Sequence, residues 1–151
     1  MSIRYFEDFV VGQTLELGRH EFTTDSIIAF GKAYDPQVYH VDPERAKSSV
    51  YGGLIASGWH TAVVYMRLLV DGLLAATESL GSPGLDQVRW LKPVRPGDVL
   101  TARITFLDSK PSRSRPDRGI IRSRGEMVNQ HGELVMQLEA VNFFGRRPKP
   151  D

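Results

Sequence analysis

The 151-residue chain contains no cysteine. That excludes a disulfide framework, a thiolate nucleophile and any cysteine-ligated metal, and it suits a reducing compartment. An excess of charge of one sign is also missing. Nineteen Lys and Arg against eighteen Asp and Glu leave a formal net charge of +1, too little for a global field that recruits nucleic acid or an anionic membrane. Uninterrupted apolar runs are short. The most apolar stretch, Leu54 to Leu74, is broken by His60, Arg67 and Asp71. Each ionised side chain near a bilayer centre costs roughly 2.5–3.5 kcal/mol, so the stretch reads as a core helix and not as a membrane span. The acidic pair Glu7-Asp8 and the lack of an apolar run before it do not fit a signal peptide, and a cytoplasmic location is expected. The four histidines, at positions 20, 40, 60 and 131, show no metal-ligand spacing, so neither a metal nor another cofactor is expected.

What is present fits one globular domain over residues 1–151: 41% hydrophobic and 25% charged residues, without repeats, linkers or low-complexity tracts. The tail, residues 146–151, is expected to fray. Thr23 and Thr24 followed by Asp25 mark a helix start, with a threonine cap and an acid in the first turn. Pro36 disfavours helical dihedrals at Asp35, so that helix should end near Tyr34. Asp42-Pro43 then starts a short helical turn, with Asp as cap and Pro at the first helical position. Gly52-Gly53 is expected to open the main helix, where Ile55, Trp59, Ala62, Met66, Leu69 and Leu73 keep helical spacing. Ser57, His60, Arg67 and Asp71 form its one polar stripe, and a helix apolar over most of its circumference is buried on several sides.

Beyond Gly81-Ser82-Pro83-Gly84 the period changes to two. Leu100, Ala102, Ile104 and Phe106 alternate with polar residues, as do Leu134, Met136, Leu138 and Ala140. A strand is expected to end near Val94, with a type II turn at Pro96-Gly97 leading to the next near Val99. Asn129 to Gly132 reads as a hairpin loop, and an early strand falls near residues 14–22. The fold class is therefore α+β: one long helix wrapped by an antiparallel sheet of about five strands.

The densest reactive cluster is Tyr34-Asp35-Pro36-Gln37-Val38-Tyr39-His40-Val41-Asp42. On one helix, residues five apart would point about 140° from each other. Pro36 breaks the helix, so Asp35 and His40 are free to face one cavity from a loop. From the residues alone, a turn-starting Asp-Pro and a surface histidine are the commoner reading of such a cluster. The segment Ala33 to Asp42 resembles, however, the hydratase motif of the MaoC-like dehydratases, the family of (R)-specific enoyl-CoA hydratases. Gly52-Gly53-Leu54-Ile55-Ala56-Ser57 is similar to the start of that family's central helix. Val88 to Asp98 is similar to its strand–turn signature. The likeness runs over roughly residues 5 to 145. Within it, Val38 stands where the family often has Pro, Tyr39 is bulkier than the usual aliphatic residue, and Tyr51 occupies a position that is frequently His.

The resemblance implies a single hot-dog domain, the family's α+β fold. It implies syn hydration of a trans-2-enoyl thioester of coenzyme A or acyl carrier protein, or the reverse dehydration, in a homodimer or larger homo-oligomer. Asp35 and His40 would be the catalytic pair acting on one water. Free N–H groups at Gly52 or Gly53 would meet the developing enolate oxygen, with Ser57 beside the water. Arg113, Arg115 and Arg118, in a basic turn-rich loop, are candidates for contact with the phosphates of coenzyme A; a solvated hairpin tip is the other reading. A hot-dog acyl-CoA thioesterase and a non-catalytic acyl-thioester binding subunit are the competing assignments. Nucleic-acid binding is disfavoured by the charge balance.

Overall fold

A computed structural model describes residues 2–151 and contains, in order, β1 (Thr14–Glu21), α1 (Thr24–Tyr34), α2 (Val38–Val41), α3 (Pro43–Ala46), α4 (Gly58–Gly72), β2 (Gly84–Trp90), β3 (Val99–Pro111), β4 (Arg118–Val128) and β5 (Leu134–Gly145). The five strands form one antiparallel sheet in the order β1-β3-β4-β5-β2, and α4 packs on it. Leu100, Ala102, Ile104 and Phe106 of β3 all point into the core, as their alternation requires. On β5, Met136, Leu138 and Ala140 are buried as expected, but Val135 is buried too. Met127 pairs with Met136 while Val128 pairs with Leu134, so Val135 is the extra residue of a bulge and escapes the two-residue period.

Local chemistry explains the helix ends. The Thr23 hydroxyl accepts from Ser26 N–H, and the Asp42 carboxylate accepts from Glu44 and Arg45 N–H with Pro43 at the first helical position. The turn at Pro96-Gly97 is closed by Asp98 N–H donating to the Arg95 carbonyl at 3.0 Å. β2, however, ends at Trp90 and not near Val94. After Leu91 N–H bonds the Val135 carbonyl, the chain leaves the sheet and Val94 O accepts from Ala56 N–H at 2.8 Å. Of the expected tail, Arg146 and Arg147 are tied down, by their N–H groups to Asp117 O and the Glu7 carboxylate.

The main helix begins at Gly58, six residues later than Gly52. Gly52 has φ +70, a left-handed conformation that cannot continue into a helix. The following residues are instead held extended by Ile55 N–H to Tyr39 O and Ala56 N–H to Val94 O. Nor is the helix polar on one stripe only. Arg67 and Asp71 form the expected exposed pair, at 2.7 Å, whereas His60, Thr61, Val64, Tyr65 and Leu69 make the buried face. Trp59, Val63 and Met66 point outward, 59%, 50% and 48% exposed.

His60 is a core residue. Its ring stacks on Phe30 at 4.8 Å and lies 4.7 Å from Phe22, and its Nδ1 is buried without a hydrogen-bond partner. Burial, helped by the nearby His20, lowers its pKa from 6.5 to about 4. The unfolded chain therefore takes up this proton first as pH falls. His60's contribution to stability is intact above pH 6.5 and is lost progressively down to about pH 4, a change of about 3 kcal/mol at most. Denaturant unfolding of wild type and His60→Gln between pH 4 and 7 checks this: the variant's curve should be flatter below pH 6.5, and parallel curves would contradict the assignment.

Candidate active site

Three segments converge on one carboxylate. Asp35 is the residue at which α1 ends, with φ −150, and the Pro36 ring that stops the helix turns its side chain away from the α1 axis. His40 lies not on an open loop but in the single turn of α2, where it is 4% exposed. Its Nδ1 is 2.8 Å from the Ile55 carbonyl. A carbonyl only accepts, so Nδ1 carries a proton and Nε2 is the ring atom turned to Asp35. Nε2 lies 3.2 Å from Asp35 Oδ2. From the third segment, Ser57 donates its hydroxyl to the same Oδ2 at 2.7 Å, and its Oγ also caps α4 by accepting from Trp59 N–H.

The other oxygen of Asp35 is occupied as well, since Gln37 Nε2 donates to Oδ1 at 2.7 Å. Burial works to raise the pKa of this carboxyl. The Ser57 and Gln37 hydrogen bonds and the adjacent His40 outweigh it and hold the group below its ordinary value of 3.8. Asp35 is thus an anchored anion, its side chain 19% exposed, at the edge of a cavity of about 470 Å³.

The start of α4 lines the same cavity. Gly58 is the first helical residue, so its N–H has no partner within the helix. A Cβ at this position would sit 2.5 Å from the Trp90 ring. Only glycine allows the indole to lie there, where Trp90 Nε1 donates to Gly58 O at 2.8 Å. Trp59 meets Trp90 edge to face at 5.2 Å, and both rings line the cavity with Tyr39, Tyr51 and Val94.

The structure thus unites Asp35, His40 and Ser57. It does not bring the other expected residues to them. Gly52 and Gly53 precede the helix and are absent from the cavity wall, and the free helix-start amide belongs to Gly58. The sequence carried the signal in Ser57, a preferred capping residue immediately before that glycine. Arg113, Arg115 and Arg118 lie at the turn joining β3 and β4, at the end of β3 away from Val99. None of them lines the cavity, and Arg118 is paired with Asp117. Gln37 lies within the motif but was given no role there, and the Ile55 carbonyl is a backbone partner that no side-chain motif records.

The family described as a MaoC like domain matches residues 8–122. Among solved structures, a MaoC-like dehydratase from Rhodospirillum rubrum is 41% identical and superposes with a TM-score of 0.88 over 97% of this chain and 99% of that one. Among curated proteins, the uncharacterized protein YdeM of Bacillus subtilis is 29% identical over 133 residues, 88% of this chain and 93% of its own. The (R)-specific enoyl-CoA hydratase of Rhodospirillum rubrum is 28% identical over 118 residues, 75% of this chain and 76% of its own. The sheet wrapped on α4 is the hot-dog fold of these neighbours.

Ser57 joins the helix cap to the anion, so its loss has two separable effects. Ser57→Ala should cost about 0.5–2 kcal/mol of stability through the missing cap. It should also move the Asp35 carboxyl upward toward 3.8, because one donor is gone. Denaturation midpoints read the first effect and carboxyl-carbon NMR the second; an unchanged Asp35 titration would contradict the geometry.

Proposed function

The chain belongs to the MaoC-like domain family, and on that premise we propose that it is a hydro-lyase adding water across a trans-2-enoyl thioester of coenzyme A or a carrier protein, or removing it from the (R)-3-hydroxyacyl product. The reading is carried by one observation: Asp35 Oδ2 and His40 Nε2, 3.2 Å apart, line the cavity that Gly58, with its free helix-start amide, also lines. A water held by the pair is close enough to both for proton transfer. Asp35 accepts a proton as the water oxygen bonds to C3 of the acyl group. The electron pair of the double bond moves into the thioester carbonyl, where Gly58 N–H and the dipole of α4 meet the enolate oxygen. The proton then passes from the pair to C2 on the same face. The conjugated carbonyl is itself the electron sink, so the reaction needs no further cofactor.

A thioesterase would use Asp35 as nucleophile or lone base. His40, 3.2 Å from that carboxylate, would then have no task. A cytoplasmic site of action accords with this reading. We further propose that the chain works as at least a dimer: Trp59, Val63 and Met66 face outward from α4, and β1 and β2 are open sheet edges that need cover.

Asp35→Asn and His40→Gln keep the shapes and remove the proton chemistry. Each should lower kcat for hydration by at least about a hundredfold. Because both serve one step, the double variant should lose far less than the product of the singles. Full activity in either single variant would sink the assignment. For the assembly, light scattering at micromolar concentration should give at least twice the 16.9 kDa of one chain, and a mass of 16.9 kDa would contradict it.

A further inference from the structure

We propose that Tyr39, acting through Gln37, is a positioning residue for both members of the acid–base pair; the proposal rests on the hydratase reading above. The Tyr39 hydroxyl donates to Gln37 Oε1 at 2.6 Å, and Gln37 Nε2 donates to Asp35 Oδ1 at 2.7 Å. The direction of this chain is fixed by chemistry. A carboxylate only accepts, so the amide must turn its NH2 to Asp35 and its carbonyl outward. A flipped amide would set oxygen against oxygen, and the phenol O–H is the donor that holds the productive orientation. The same tyrosine reaches the other partner through its ring, which packs edge to face on His40 at 4.6 Å. Tyr51 braces it from the far side at 5.0 Å.

The spacing that makes this possible follows from Pro36. Gln37 is the extended residue that caps α2, at φ −74 and ψ 147, with its side chain lying beside that of Asp35. Tyr39 follows in the first turn of α2. Oδ2 of Asp35 already accepts from Ser57 and lies beside His40 Nε2, and among the described residues Gln37 is the donor to Oδ1. Without it the carboxylate can rotate about Cβ–Cγ, and its charged form loses one of the hydrogen bonds that favour it. The other titratable groups around the same cavity, His40 from α2, Tyr51 from the segment before α4 and Lys92 after β2, are left unchanged by a substitution that removes only the Tyr39 hydroxyl.

The test compares wild type with Tyr39→Phe, Gln37→Leu and the double variant, by pH–rate profiles on a trans-2-enoyl-CoA and by carboxyl-carbon NMR of Asp35. Phe keeps the ring on His40 and deletes only the relay. Tyr39→Phe should lower kcat by about 3- to 10-fold, with KM within about twofold, the range of one hydrogen bond felt in the reacting state. The acid limb of kcat/KM and the Asp35 midpoint should both move to higher pH. Gln37→Leu should do the same more strongly, and adding Tyr39→Phe to it should cost nothing further. A Tyr39→Phe enzyme whose acid limb and Asp35 midpoint overlay the wild type overturns the proposal, as do losses that multiply in the double variant. If wild type hydrates no enoyl thioester, the hydratase reading fails, and the NMR midpoints alone decide whether the relay holds Asp35.

Discussion

The carboxylate of Asp35 is the constraint on which the site depends. It accepts from Ser57 at the start of α4 and from Gln37 ahead of α2, and it faces His40 within α2. A partly buried anion costs free energy unless donors meet it. Gln37 and His40 belong to the same stretch as Asp35 and Ser57 to a separate one, so the anion is fully satisfied only when the start of α4 is correctly placed against that stretch. The hydrogen bonds that lower its pKa are therefore also the ones that hold the site together.

Around that point the fold works as a frame. Ile55 and Ala56 are clamped between Tyr39 O and Val94 O, so the segment entering α4 cannot drift from α2 on one side or from the strand exit on the other. The Ile55 carbonyl then fixes the His40 ring, and Trp90 seats on Gly58. The helix-start amide of Gly58 and the Asp35–His40 pair thus come to line one cavity, placed there by backbone contacts. No helix among the described residues is long and apolar enough to cross a membrane.

Much of this was legible in the sequence, for identifiable reasons. Pro36 set the end of α1, Asp42-Pro43 set α3, and two-residue alternation set the inward face of β3, because each depends on local backbone preference or on strand geometry. The start of α4 was misplaced because apolar periodicity extends back to Ile55, whereas helical dihedrals stop at the Ser57 cap; the bonds holding residues 55 and 56 extended are tertiary. Val135 broke the alternation of β5 through a bulge set by pairing with β4. His60, read as part of a polar stripe, is buried because Phe22 and Phe30 close over it. Asp35 and His40 were singled out by their motif, and the structure sets them 3.2 Å apart, while the contact of Gln37 with Asp35 and the free amide of Gly58 emerged only with the distances.

The central claim is that the anchored Asp35 and His40 act on water and leave the thioester bond intact. The most direct measurement follows wild-type protein with a series of trans-2-enoyl-CoA esters, recording the conjugated enoyl absorbance and free thiol together. Loss of absorbance without thiol release, giving the (R)-3-hydroxyacyl product, is the result expected. Thiol release with no hydration of any ester would contradict it.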